Sequence, residues 1–102
     1  MIPLKEATVL RAVLEWLTVH KIFHFRVNTM GTPMSSGGFR PAPTVGIPDI
    51  IAVVEGRFVG IEVKSTNGKQ SQRQKMFEGQ CKKAGGEYFI VKSIDDLERL
   101  MG

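Results

Sequence analysis

Cysteine is nearly absent, Cys81 being the single one in 102 residues. One thiol closes no intramolecular disulfide and builds no thiolate cage for a metal. That fits a chain kept in a reducing, intracellular setting, and a cytoplasmic location is expected. Long apolar runs are missing too: no stretch approaches the ~20 residues that a bilayer-crossing helix needs, so no membrane partner is expected. Near the start, Lys5, Glu6, Arg11 and Glu15 interrupt the apolar residues before a secretory signal could form. Acidic residues are the minority, 10 against 14 Lys and Arg, for a net charge of +4 and a pI near 9.5. A basic balance favours a polyanionic partner, most commonly nucleic acid. There is no repeat and no low-complexity tract. At 102 residues and 42% hydrophobic, residues 1–102 read as one domain with a thin core, for which self-association is expected.

Helical periodicity is clear from Leu4 to Val19, where Val9, Leu10, Val13, Leu14 and Leu17 recur at three-and-four spacing. Glu6 precedes that row in register, so its carboxylate falls on or beside the apolar face, or simply complements the helix dipole. Trp16 reads equally as a core or a dimer-contact residue. Lys21 to Asn28, rich in aromatic and β-branched residues, reads as a strand. His20 and His24 have no further metal-ligand pattern around them and are ordinary residues here. Thr29 to Gly46 is dense in Gly, Pro, Ser and Thr and reads as a long flexible loop, within which Phe39 and Arg40 are candidate contacts.

Asp49 to Glu55 and Arg57 to Lys64 are strand-like runs joined at Glu55-Gly56, a hairpin by length and composition. Ser71 can cap a helix from about Gln72 to Ala84, ended by Gly85-Gly86. Gln74, Phe77, Cys81 and Ala84 share one face of it, the last three reading as core packing. Glu87 to Lys92 is a further strand, and Ser93 with Asp96 opens a last short helix. The order αβββαβα implies an α/β domain, a mixed central sheet flanked by helices.

Side chains alternate along a strand, so Glu62 and Lys64 point to one face while Ile61 and Val63 point to the other. Charges in an otherwise apolar strand are costly if buried without a partner or ligand. Asp49 opens the partner strand just after Pro48, whose missing N–H suits a strand's first residue. A hairpin turning at Glu55-Gly56 brings Asp49 roughly opposite Glu62. Two converging carboxylates with a lysine beside them suit a hard divalent cation such as Mg²⁺. Such an ion polarises a phosphoryl oxygen and lowers the pKa of a bound water, while the ammonium steadies developing charge. The bland alternative is a surface salt bridge on an exposed sheet face.

Gly46-Ile47-Pro48-Asp49, twelve residues, then Glu62-Val63-Lys64 resembles the PD-(D/E)XK nuclease signature. The flanking residues are similar to the virus-type replication-repair nuclease (VRR-NUC) family: the early acid Glu6, the strand end Phe25-Arg26-Val27-Asn28, and Ser71-Gln72-Arg73-Gln74 before Ala84-Gly85-Gly86. That resemblance spans nearly the whole chain. It implies a restriction-endonuclease-like fold and a Mg²⁺- or Mn²⁺-dependent endonuclease for branched or flapped DNA, with no small-molecule cofactor. It implies Asp49, Glu62, Lys64 and Gln74 as catalytic, and Glu6, Asp49, Glu62 and Val63 at the metal. Stand-alone members of this size look like homodimeric four-way (Holliday) junction resolvases, active in DNA repair. Arg40, Lys69, Arg73 and Lys75 are the candidate DNA contacts, with Lys82 and Lys83 further along the same helix. A non-catalytic DNA-binding module of the same fold, or a nuclease for flaps or ordinary duplex, are the competing readings.

Overall fold

The computed structural model describes residues 4–27, 32–33, 39–40 and 46–102. Helix α1, Glu6–Val19, is followed by strand β1, Phe23–Arg26; Thr32–Pro33 and Phe39–Arg40 form β2 and β3. Then come β4, Ile50–Val54, β5, Arg57–Val63, helix α2, Gln72–Lys83, β6, Glu87–Val91, and helix α3, Ile94–Met101. Strands β1, β4, β5 and β6 make one sheet in that spatial order. β1–β4 and β4–β5 pair antiparallel, whereas β5–β6 pair parallel through the α2 crossover. The mixed sheet flanked by helices matches the expected α/β architecture and its αβββαβα order.

Local chemistry accounts for the joints. Glu55 and Gly56 have φ of 52° and 79°, as the two central positions of a type I′ turn require. Such a turn locks the β4–β5 register, Val54 opposite Arg57 through Ile50 opposite Ile61. Ser71 Oγ accepts from the Gln74 N–H while the Gln74 side chain accepts from the Ser71 N–H, a complete capping box at the start of α2. At its other end Gly85, φ 95°, turns the chain, and Gly86 N–H returns to the Cys81 carbonyl at 2.9 Å. α1 stops the same way with Lys21 in the left-handed region (φ 57°) and Ile22 N–H on the Leu17 carbonyl at 3.0 Å.

One sheet face carries the core. Val9, Val13, Trp16 and Leu17 of α1 and Leu97 of α3 pack on Ile50, Ala52, Val59, Ile61, Val63 and Val91. Trp16 is thereby a core residue; its indole N–H donates to Glu98 at 3.0 Å and its ring stacks on His20. Leu17 has no exposed surface, so Leu17→Ala is expected to cost about 2–5 kcal/mol of unfolding free energy, read by denaturant titration.

The opposite face is covered only in part. α2 contributes no buried residue: Phe77 and Cys81 are half-buried and Ala84 is exposed, so the expected core packing of these three is corrected. With Phe58, Gln80 and Gly86 they line an open, largely apolar groove of about 340 Å³. Phe23, Val53 and Phe58 pair across β1, β4 and β5 and all three are exposed. Most of the 29–46 loop lies outside the described residues. Within it Thr32–Pro33 and Phe39–Arg40 pair antiparallel, a short ladder where a structureless loop was expected. No helix among the described residues is long and apolar enough to cross a membrane.

Candidate active site

Gly46 and Pro48, in the lead-in to Asp49, each have a structural reason to be there. Gly46 has φ of 76°, open to glycine at little cost, and a Cβ there would collide with the Arg73 carbonyl in the first turn of α2. The lead-in is thus pressed against the helix that bears Arg73. Pro48 is fully buried and lies over Gly60: a Cβ on Gly60 would stand 2.9 Å from Pro48 Cγ and 3.3 Å from the Tyr88 ring. The bare glycine lets both rings close onto the sheet.

Asp49 is then held on both sides. Its carbonyl accepts from the Val27 N–H at 2.8 Å, and its Oδ2 accepts from the Val63 N–H at 2.8 Å. One step beyond the Ile50–Ile61 pair, it faces Glu62 across the hairpin.

Glu62 is the one buried charged side chain among the described residues, 2% exposed. That removes the surface salt bridge as an account of the cluster. Burial first, then the adjoining Asp49 carboxyl by hydrogen bond and by charge, push the Glu62 carboxyl up to about 8; Lys64 and the Tyr88 hydroxyl oppose that rise. Without a cation the Glu62 carboxyl therefore holds its proton near neutrality. Lys64 Nζ stands 4.0 Å from Glu62 Oε2 with its side chain 15% exposed, and the Tyr88 hydroxyl donates to Glu62 Oε1 at 3.2 Å. Val63 sends its side chain into the core, so only its main-chain carbonyl could face a cation.

No protein-family model, curated protein or solved structure matches the chain. The chemistry of the site therefore rests on its own residues. Two abutting carboxyls, one of them almost fully desolvated, repel each other when ionised, and a divalent cation relieves that repulsion. An all-oxygen donor set of this kind suits Mg²⁺ or Mn²⁺.

Asp49, Glu62 and Lys64 come together as their spacing suggested, with the Val63 main chain between them. Glu6 does not join them. Glu6 is exposed in the first turn of α1, although the preceding Leu4 pairs with Thr66, two residues past Lys64. No group of three or more His, Cys, Asp or Glu able to hold a metal forms among the described residues, so Glu6 is not part of the carboxylate pair. Gln74 closes the cap of its own helix, its side-chain oxygen accepting from the Ser71 N–H at 2.8 Å. Lys69, Arg73 and Lys75 are exposed at the end of α2 that touches Gly46. Arg40 lies in β3, its side chain outside the described residues.

Tyr88 escaped the sequence reading. In Glu87-Tyr88-Phe89-Ile90-Val91 it is one aromatic in an apolar strand, and only the parallel β5–β6 pairing, Gly60 opposite Tyr88 and Glu62 opposite Ile90, brings its hydroxyl to Glu62.

Proposed function

We propose that this chain is a Mg²⁺- or Mn²⁺-dependent endodeoxyribonuclease of the PD-(D/E)XK type, in the stand-alone VRR-NUC form, cutting branched DNA as an intracellular homodimer. The observation that carries this reading is Glu62, 2% exposed, pressed against Asp49 with Lys64 at 4.0 Å. An apolar residue would stabilise such a sheet position at least as well, so the charges call for a chemical reason.

Asp49, Glu62 and the Val63 carbonyl would hold the cation. When bound, it polarises a phosphoryl oxygen and lowers the pKa of a coordinated water. The chain's own residues do the rest. Lys64 directs its ammonium at the reacting phosphate, orienting the attacking water or offsetting charge as it develops. Asp49, fixed by its two main-chain contacts, needs little rearrangement to ligate. Lys69, Arg73 and Lys75 are suited to the flanking backbone phosphates, with Arg40 a further candidate from the sequence, in keeping with the net charge of +4. The exposed stripe of Phe23, Val53 and Phe58 favours association of two copies, and a two-fold dimer would present two cutting centres to a four-way junction.

Cleavage of a labelled four-way junction beside matched duplex and flap substrates, with Mg²⁺, Mn²⁺ or EDTA, tests the proposal. Paired, metal-dependent incisions near the crossover are expected. Preferred cutting of flaps or duplex would keep the nuclease and retire the resolvase. Tight binding without cutting would put a non-catalytic DNA-binding module in its place.

A further inference from the structure

Tyr88 is 3% exposed, and its ring sits where Gly60 leaves room for it, beside Phe77 at a centroid distance of 6.1 Å. A buried phenol needs a hydrogen-bond partner, and this one has Glu62 Oε1 at 3.2 Å. Among the described residues no buried side-chain nitrogen or oxygen lacks a partner, so the contact is part of a satisfied network. Burial first, and then the charge of Glu62, hold the phenol above its ordinary range; it stays protonated and acts as a donor.

The two oxygens of Glu62 thus have different neighbours. Oε1 accepts from Tyr88; Oε2 is the one toward Lys64. A carboxylate on a strand can rotate about its terminal torsion, which is broad and roughly two-fold. A donor fixed on the neighbouring strand removes that freedom. Partners of metal-ligating groups act in this way, orienting the ligand and tuning its basicity.

We infer that Tyr88 is a positioning residue for Glu62, its hydroxyl anchoring Oε1 so that Oε2 is presented to the divalent cation. The inference rests on the nuclease reading and assigns Tyr88 no contact with DNA. Its hydroxyl, not its ring, carries the role. Tyr88→Phe keeps the ring and removes only the anchor. Phe77→Leu disturbs the packing around the ring and leaves the hydroxyl in place.

The test is Mn²⁺ binding to the metal-free protein without DNA, followed by electron paramagnetic resonance, for wild type and both variants. Thermal melts in chelator establish that each is folded. Tyr88→Phe is expected to bind Mn²⁺ about 10-fold more weakly, with cleavage recovering toward wild type as Mn²⁺ is raised. Phe77→Leu is expected to bind as wild type does. Equal affinity in Tyr88→Phe and wild type would overturn the role, as would an equal loss in Phe77→Leu, which would trace the effect to packing. Wild type that takes up no Mn²⁺ would overturn the nuclease reading and the role of Tyr88 with it, an outcome distinct from the other two.

Discussion

Lys64→Ala is expected to lower the cleavage rate by about 10²-fold or more while DNA binding stays close to wild type. The side chain is 15% exposed and its ion-pair partner is Glu62, at 4.0 Å. Its ammonium is therefore directed into the site rather than along the outer surface. On the proposed reading, phosphate affinity would be spread over exposed cations elsewhere, Lys69, Arg73 and Lys75 among them, and losing one charge from such a set changes binding only modestly. Rates come from single-turnover cleavage with saturating enzyme, and affinity from fluorescence anisotropy in Ca²⁺ to suppress cutting. Near-wild-type cutting by Lys64→Ala would show that the site is assigned wrongly. A parallel fall in binding and cutting would move Lys64 from the chemistry to the DNA contact.

The second large effect is on stability and follows from Glu62. Its carboxyl is raised from an ordinary 4.5 to about 8 by burial, with Asp49 adding to the rise. The folded protein therefore holds a proton that the unfolded chain releases at lower pH. For a raised carboxyl the stabilisation is complete below the unfolded value and is lost as pH climbs through the folded one. In chelator, unfolding free energy should fall between about pH 4.5 and pH 8, by a few kcal/mol at about 1.4 kcal/mol per pKa unit. Glu62→Gln removes the titration. Its stability should stay level across that window and exceed that of wild type at the alkaline end, while cutting disappears.

A saturating divalent cation should restore wild-type stability at the alkaline end, because it binds the ionised carboxylates of the folded state alone. It should do nothing for Glu62→Gln. Urea melts across the pH range, with Mg²⁺ or EDTA, read all of this. A wild-type profile that is flat in EDTA would mean that Glu62 is not desolvated as its 2% exposure implies. A fall in EDTA that Mg²⁺ leaves unchanged would separate a strained carboxyl from a metal site.

Much of this was legible along the chain because it depends on neighbours in sequence. Two residues at Glu55-Gly56 can turn a hairpin in few ways, and once the turn is set the count along each strand delivers Asp49 opposite Glu62. Alternation alone puts Ile61 and Val63 on one face and Glu62 and Lys64 on the other. Ser71 and Gln74 form a capping box over three residues, and Gly85-Gly86 ends α2 as local backbone geometry demands. The α/β class and the order of elements follow from such signals.

Other features belong to the tertiary structure because they depend on what lies across from a residue. Glu6 has the spacing of the buried row of α1 but falls in its first turn, where none of the described elements covers it. Gln74 has the position of a site residue, yet its side chain closes on its own helix start. Trp16 fits a core or a dimer contact equally well by spacing, and α3, bringing Glu98 to its indole, makes it a core residue. Phe77, Cys81 and Ala84 share a face whose partner does not extend over it. Whether Glu62 is an exposed ion pair or a desolvated carboxyl was decided by Tyr88 and Pro48, laid over the sheet at Gly60. Sequence periodicity states which side chains share a face; burial is decided by the distant segments that arrive to cover it.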